Sequence, residues 1–357
     1  MDEKTGRLRS WMLGKKNMPY TLEINPTNRC NLKCLYCWQQ NFDDIDKEDK
    51  ISKQRLLEIV REAGKLGIKE IRIPGSGEPF MRKDTIEVMH EIKNNKINGL
   101  IITNGTLLDE EKIKEIIDMK WDCVTFSFDS ADKRINDYFR GKGSFDILHK
   151  NLLLFKKLKK IKKSRYPLIR FNIVITNKNY NSILAIIKYA KTVSCRDVEF
   201  QPLTVWSKNS EKLKLEKNQI LELNKTIPKI KALAEKYGIF TNINSFLGND
   251  IVDKASGNME KLMFRKNEKI KFLELPCYEP WYNMIVLPEG KVNPCSMAGS
   301  VFGDNIMEKS LKDLWFGKYF SDTRKALIDK KLPSFCKKCC AVVFVENNRI
   351  REKLRNG

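Results

Sequence analysis

Histidine is nearly absent from this chain of 357 residues: His90 and His149 are the only two. Both fall in segments of helical period with no metal-ligand spacing between them, so a metal centre built on imidazole has nothing to rest on. Long apolar runs are missing as well. No stretch approaches the roughly 18 apolar residues of a membrane span, and the opening "MDEKTGRLRS" lacks the apolar core of a signal peptide. On these absences the expected location is the cytoplasm, where thiols stay reduced, so the ten cysteines read as metal ligands or buried fillers rather than disulfides. Repeats are absent too, and no low-complexity tract goes beyond a lysine bias.

Acidic residues are in deficit, with 45 Asp and Glu against 67 Lys and Arg and a net charge of +22. Such a balance points either to an anionic partner or to a genome rich in Lys, Asn and Ile codons. The longest basic run, "KKLKKIKKSR" (156–165), carries Leu158 and Ile161 three apart and no aromatic residue. It reads as the solvated side of an amphipathic helix, not as a single-strand binding face, and a nucleic-acid partner is not favoured.

The 41% hydrophobic content is ordinary for a globular protein. From residue 20 to 244, β-branched or aromatic runs at 20–25, 68–73, 99–104, 122–128, 167–175, 197–202 and 239–244 read as strands. Segments of helical period lie between them at 52–66, 83–95, 109–119, 144–163, 179–193 and 216–237, with Ser52 and Asp109 at N-cap positions. This alternation predicts an α/β fold, a partial parallel (β/α)6 barrel with its chemistry at the C-terminal strand ends. The expected divisions are an N-terminal extension (1–19), the barrel (20–244), a polar connector with one helix (245–276), a cysteine-bearing module (277–340) and a helical tail (341–357).

Cys30, Cys34 and Cys37 form a C-x3-C-x2-C loop directly after the first strand. A structural zinc site wants four ligands, whereas thiolates also hold iron–sulfur clusters, and three on a four-iron cube leave one iron open. The loop, with an aromatic residue, Tyr36, before its last cysteine, resembles the radical S-adenosylmethionine (SAM) superfamily. The resemblance implies a 4Fe–4S cluster on these cysteines, SAM bound at the open iron, and a 5'-deoxyadenosyl radical that abstracts hydrogen from an unactivated carbon. It implies SAM contacts from "GSGEP" (Ser76, Gly77 and Glu78, with Ser76 where relatives have glycine), from Asn104 in "TNG", and from Ser127 and Asp129 in "SFDS". It also implies Arg140, which with Ser127 is the favoured pair for the SAM carboxylate because a guanidinium meets a carboxylate bidentately. Asn172 and Gln201 on the fifth and sixth strands are candidates for the ribose or the substrate, beside the simpler role of buried hydrogen-bonding groups.

A second cysteine set follows. Cys277 and Cys295 are spaced C-x12-G-x4-C about Gly290, which turns a hairpin between "YNMIVL" and "KVNP", and Cys336 and Cys339 form a C-x2-C with Cys340 adjacent. Four thiols in two pairs make a closed site of the kind zinc also uses. The pattern resembles the SPASM/twitch extension of radical SAM enzymes, which implies a second 4Fe–4S cluster with no open iron, suited to electron transfer. Cys340 is an alternative to Cys339, and Cys123 and Cys195 read as core fillers.

The resulting expectation is an enzyme that oxidises by two electrons a small polar or anionic substrate: a sugar, cyclitol or nucleotide-sugar. A reducing partner such as flavodoxin or ferredoxin would serve it. Radical maturation of a ribosomal peptide is the first alternative, set back by the short segment before the first strand, where peptide-maturing relatives carry a leader-binding domain. RNA modification and a non-catalytic zinc or iron–sulfur nucleic-acid-binding protein complete the set. No residue stands out as the general base.

Overall fold

The strand-forming runs become the central sheet of the computed structural model, which describes residues 2–246, 272–299, 303–329, 331–337, 339 and 341–356. Nine strands are ordered β7-β6-β5-β4-β3-β2-β1-β8-β9. They are β1 (Thr21–Ile24), β2 (Glu70–Ile73), β3 (Asn98–Thr103), β4 (Cys123–Ser127), β5 (Leu168–Ile175), β6 (Asp197–Pro202), β7 (Phe240–Thr241), β8 (Asn283–Val286) and β9 (Val292–Asn293). Every neighbouring pair is parallel except β8 and β9. The sheet does not close on itself, as a partial barrel requires.

Alternation along the strands separates two faces. Leu22, Ile24, Ile71, Ile73, Ile101, Val124, Phe126, Ile169, Phe171, Val198 and Phe200 join the main core with buried residues of the crossover helices. Those helices are α2 (Lys53–Lys65), α3 (Thr85–Asn94), α4 (Glu110–Asp118), α6 (Ser144–Ile161), α7 (Ile183–Thr192) and α9 (Lys217–Tyr237); α1 (Glu3–Met12), α5 (Lys133–Arg140) and α8 (Lys208–Glu211) are the others before the connector. Ser52 and Asp109 cap α2 and α4 as expected, accepting from the amides of Arg55 (3.2 Å) and Lys112 (2.9 Å). In the basic run on α6, Leu158 is buried but Ile161 is 64% exposed, so the apolar stripe ends one turn earlier than its spacing predicts. Cys123 and Cys195 are buried, as core fillers should be.

The cysteine-bearing module joins the barrel more intimately than its sequence foretells. The hairpin about Gly290 (φ +87°) does form, but its first strand extends the main sheet beside β1, with Thr21 opposite Asn283 and Ile24 opposite Val286. All four residues of β8 are buried, as in a strand covered on both faces. The chain ends meet here too. Leu8 of α1, Leu275 to Tyr282 around α10 (Glu279–Tyr282), Leu327 of α12 (Lys318–Ile328, after α11, Leu311–Phe316), and Ile350 and Leu354 of α13 (Ala341–Asn356) form a second core. Most of the connector and Cys340 lie outside the described residues.

Candidate active site and second thiol site

The three-cysteine loop leaves the C-terminal end of β1 and is held by backbone bonds. Gly77 N–H donates to Thr27 O (3.0 Å) and Glu78 N–H to Arg29 O (2.8 Å), so "GSGEP" runs alongside the approach to Cys30. Gln39 Nε2 clips the same two segments through Asn28 O (2.8 Å) and Ser76 O (3.0 Å). Leu35 N–H donates to Phe139 O at the end of α5 (3.0 Å). The amide of Leu32 reaches Cys30 Sγ (3.5 Å), and Arg140 Nη1 lies 4.0 Å from Cys34 Sγ.

The residues expected to meet SAM fall into two groups. Tyr36, Asp129 and Arg140 are engaged with one another: Tyr36 OH donates to Asp129 Oδ2 (2.6 Å), Arg140 Nη2 donates to Tyr36 OH (2.8 Å), and Arg140 Nε lies 2.7 Å from the same carboxylate oxygen. Arg140 is therefore committed to Asp129 and brings its charge to the rim of the thiol loop. Glu78 is likewise occupied, its buried carboxylate accepting from Thr103 Oγ1 (2.7 Å), Asn104 N–H (2.7 Å) and Phe80 N–H (3.2 Å). Asn104 Nδ2 reaches Asn31 Oδ1 (2.9 Å) within the loop. The second group is open to a ligand. Ser127 and Asn172 stand opposite each other on β4 and β5, and the buried Asn172 Oδ1 has no hydrogen-bond partner among the described residues.

Burial raises the thiol pKa values of Cys30, Cys34 and Cys37, with Arg140 pulling the other way. Desolvated thiols that each feel another cysteine of the set and lack enough cationic charge fit a cluster whose iron supplies it. Among the described residues no group of His, Cys, Asp and Glu closes tightly enough to hold a single metal ion. A polynuclear cluster, whose own sulfides bridge its irons, takes thiolates set further apart than one tetrahedral zinc does.

The second set meets the same test. Cys277, Cys295, Cys336 and Cys339 line one cavity with Leu327, Phe335 and Val343, enclosing about 390 Å³ of empty space including its mouth. Four soft donors in apolar surroundings suit an iron–sulfur cluster. Burial lifts the thiols of Cys277 and Cys295 far above their ordinary value, with Glu279 nearby adding to it, and lifts Cys336 to about 11.

Because β1 and β8 are parallel, the two thiol sets sit at opposite ends of this strand pair. The first follows the C-terminal end of β1; Cys277 and Cys295 flank the N-terminal end of β8. Between them runs the sheet's inner face, which carries Glu23, Glu70, Arg72, Arg170, Asp197 and Glu199. Arg72 lies 2.7 Å from Glu70 and 3.8 Å from Glu23, and Arg170 lies 2.8 Å from Asp197 and 3.9 Å from Glu199. Asn283 Nδ2 spans Glu23 Oε1 (3.3 Å) and Glu279 Oε2 (2.8 Å), while Tyr282 OH bonds the other oxygen of Glu279. Burial pushes the Glu23 carboxyl up to about 7; Arg72 opposes this and Glu279 adds to it. The sequence reading missed this charged face. Its signal was present in Thr-Leu-Glu-Ile and Glu-Ile-Arg-Ile, alternating runs with a polar residue, three of the four charged, at every second position.

A family model described as the radical SAM superfamily matches residues 24–191, and one described as an iron–sulfur cluster-binding domain, SPASM, matches residues 277–340. A probable GTP 3',8-cyclase of Pyrococcus abyssi is 31% identical over 173 residues, 48% of this chain and 53% of that protein, so the chain spans about half the length of that relative. The tungsten-containing aldehyde ferredoxin oxidoreductase cofactor-modifying protein of Pyrococcus furiosus is 25% identical over 84% of this chain and 82% of its own. Streptococcus suis SuiB bound to S-adenosylmethionine superposes with a TM-score of 0.66 at 18% identity, over 86% of this chain and 68% of that one. Hexahistidine-tagged anSMEcpe with bound AdoMet superposes with a TM-score of 0.64 at 19% identity, over 95% of this chain and 94% of that one. At these identities the structural likeness is one of fold.

Proposed function

We propose that this chain, which belongs to the radical SAM superfamily and carries an iron–sulfur domain of the SPASM kind, oxidises a peptide substrate by two electrons, one at each end of the β1–β8 pair. Cys30, Cys34 and Cys37 would hold the first 4Fe–4S cluster, and Cys277, Cys295, Cys336 and Cys339 the second. With a cluster and SAM bound, the first site would supply a 5'-deoxyadenosyl radical for hydrogen abstraction from a substrate C–H, and a cluster on the second set of thiols would offer an acceptor for the remaining electron.

The protein's part is position and proton handling. Asn172 Oδ1, unpartnered among the described residues, and Ser127 opposite it offer polar groups to a ligand, and the backbone at Ser76 and Gly77 runs alongside the first loop. The Tyr36–Asp129–Arg140 group fixes the loop that carries the thiols. Glu23, facing the space between the two thiol sites with its carboxyl pushed up to about 7, takes the proton that leaves with the second electron. Flavodoxin or ferredoxin supplies the electron that starts each turnover.

The single observation that carries this reading is the charged inner face between the two thiol sites. Glu23, Glu70, Asp197 and Glu199 stand there with Arg72 and Arg170, and Arg349 of α13 and Lys4 of α1 add positive charge at Glu199 and Glu279. Such a mixed-charge surface suits a substrate that carries positive as well as negative charge, so peptide maturation moves ahead of the sugar or cyclitol expected from sequence. The test uses the anaerobically loaded enzyme with dithionite, SAM and fully deuterated cell extract separated into peptide and small-molecule fractions. Deuterium in 5'-deoxyadenosine from the peptide fraction supports the reading; transfer from the small-molecule fraction alone overturns it.

A further inference from the structure

The C-terminal helix α13 turns an apolar side toward the second thiol site, with Val343, Ile350 and Leu354 all packed into the core there. One polar side chain interrupts that side. Asn347 is 1% exposed, and its amide is used at both ends. Its Oδ1 accepts the N–H of Tyr278 (2.5 Å); its Nδ2 donates to Val343 O (2.6 Å) and to Cys277 Sγ (3.6 Å). This set of partners fixes the amide orientation. Exchanging O and N would set Nδ2 against the Tyr278 N–H and Oδ1 against the Val343 carbonyl, two like-with-like contacts.

We propose that Asn347 is a positioning residue for the second cluster, which raises that cluster's reduction potential by donating a hydrogen bond to the sulfur of Cys277. The inference rests on the reading that Cys277 is a ligand. A donor at a ligating sulfur draws electron density from it and stabilises the reduced, more negative cluster over the oxidised one. In the proposed reaction that makes the second site a better acceptor for the substrate's electron. Cys295 receives its donor from a backbone amide, Met297 N–H at 3.4 Å. The donor to Cys277 comes from a side chain 70 residues away, so a single substitution removes it. Helix α13 lies beyond the region matched by the cluster-binding family model, which ends at residue 340. The tuning element is thus supplied by the segment that reads in sequence as a mere tail.

The test is an EPR-monitored redox titration of the full chain carrying Cys30→Ala, Cys34→Ala and Cys37→Ala, which isolates the second cluster. At the potential that half-reduces this background, Asn347→Leu lowers the ratio of reduced to oxidised cluster about fivefold, the effect of one hydrogen bond of ordinary strength. Asn347→Ala also loses the donor, without adding charge, and it lowers the ratio too; it carries the test should the leucine variant not assemble. Ile350→Ala, a packing change on the same helix, leaves the ratio unchanged. An unchanged ratio in the assembled Asn347 variants, or an equal fall in Ile350→Ala, overturns the inference while leaving the proposed function standing. No cluster at all in the background removes the ligand assignment itself, and both proposals with it.

Discussion

The carbonyl oxygen of Arg29 lies 2.1 Å from where a side chain at Gly77 would begin, and the next amide, Glu78 N–H, bonds that same oxygen at 2.8 Å. The contact is backbone against backbone, so neither partner can rotate aside. It sets the "GSGEP" turn against the chain entering Cys30, and only glycine permits it.

Gly77→Ala therefore forces the two segments apart. We expect a loss of about 1–3 kcal/mol in anaerobic urea unfolding, the usual cost of overpacking, together with reduced iron in the first site. Ser76→Gly should leave both unchanged, because that side chain makes no comparable contact. An alanine variant with full stability and full iron content would refute the argument.

Asp129 and Arg140 form an almost fully enclosed ion pair, their side chains 0% and 8% exposed. Removing one charge strands the other in a poor dielectric. Asp129→Asn should destabilise the protein by roughly 3–5 kcal/mol, whereas the paired change Asp129→Leu with Arg140→Met should recover much of the loss. A double-mutant cycle by thermal unfolding reads the coupling. Near-additive losses would mean that the pair does not act as a unit.

Glu23 provides a pH signature of opposite sign to a salt-bridged carboxylate. Its carboxyl titrates near 7 in the folded protein, against 4.5 ordinarily, chiefly through burial. As pH rises between those values the unfolded chain loses the proton first, so stability falls across the window, by roughly 2 kcal/mol. Glu23→Gln should flatten this contribution. The check is the difference in denaturant midpoint between wild type and variant at pH 5 and pH 8, and parallel profiles would remove Glu23 as the proton acceptor.

Much of this architecture was legible because it is local. Strand–helix alternation, the caps at Ser52 and Asp109, and the cysteine spacings are written within a few residues each. What stayed hidden depends on partners far along the chain. The run Asn283–Val286 fits a free-standing hairpin as well as a sheet edge, and only its pairing with β1 decides between them. Helix α5 has just eight residues, too few for a period to stand out, yet it delivers Arg140 to Asp129. Asn347 lies in the tail expected to be helical, where nothing in the sequence sets it apart until Cys277 is placed beside it.

The division between the two thiol sites yields the last prediction. Cys30 stands among the partners of the first loop, next to Glu78 and Arg140, whereas Cys277 and Cys295 lie at the far end of the β1–β8 pair, Cys277 within a different core. Each site should load without the other. Wild type should carry about eight irons and as many sulfides per chain and little zinc, and Cys30→Ala and Cys277→Ala should each lose about half of the iron. Reductive cleavage of SAM should survive Cys277→Ala and vanish in Cys30→Ala, because only the three-thiol site leaves an iron open. Oxidised product should disappear in both, since the substrate electron then has no acceptor in one and no radical to release it in the other. Stoichiometric zinc, or SAM cleavage that depends equally on Cys277, would dismantle this assignment of roles.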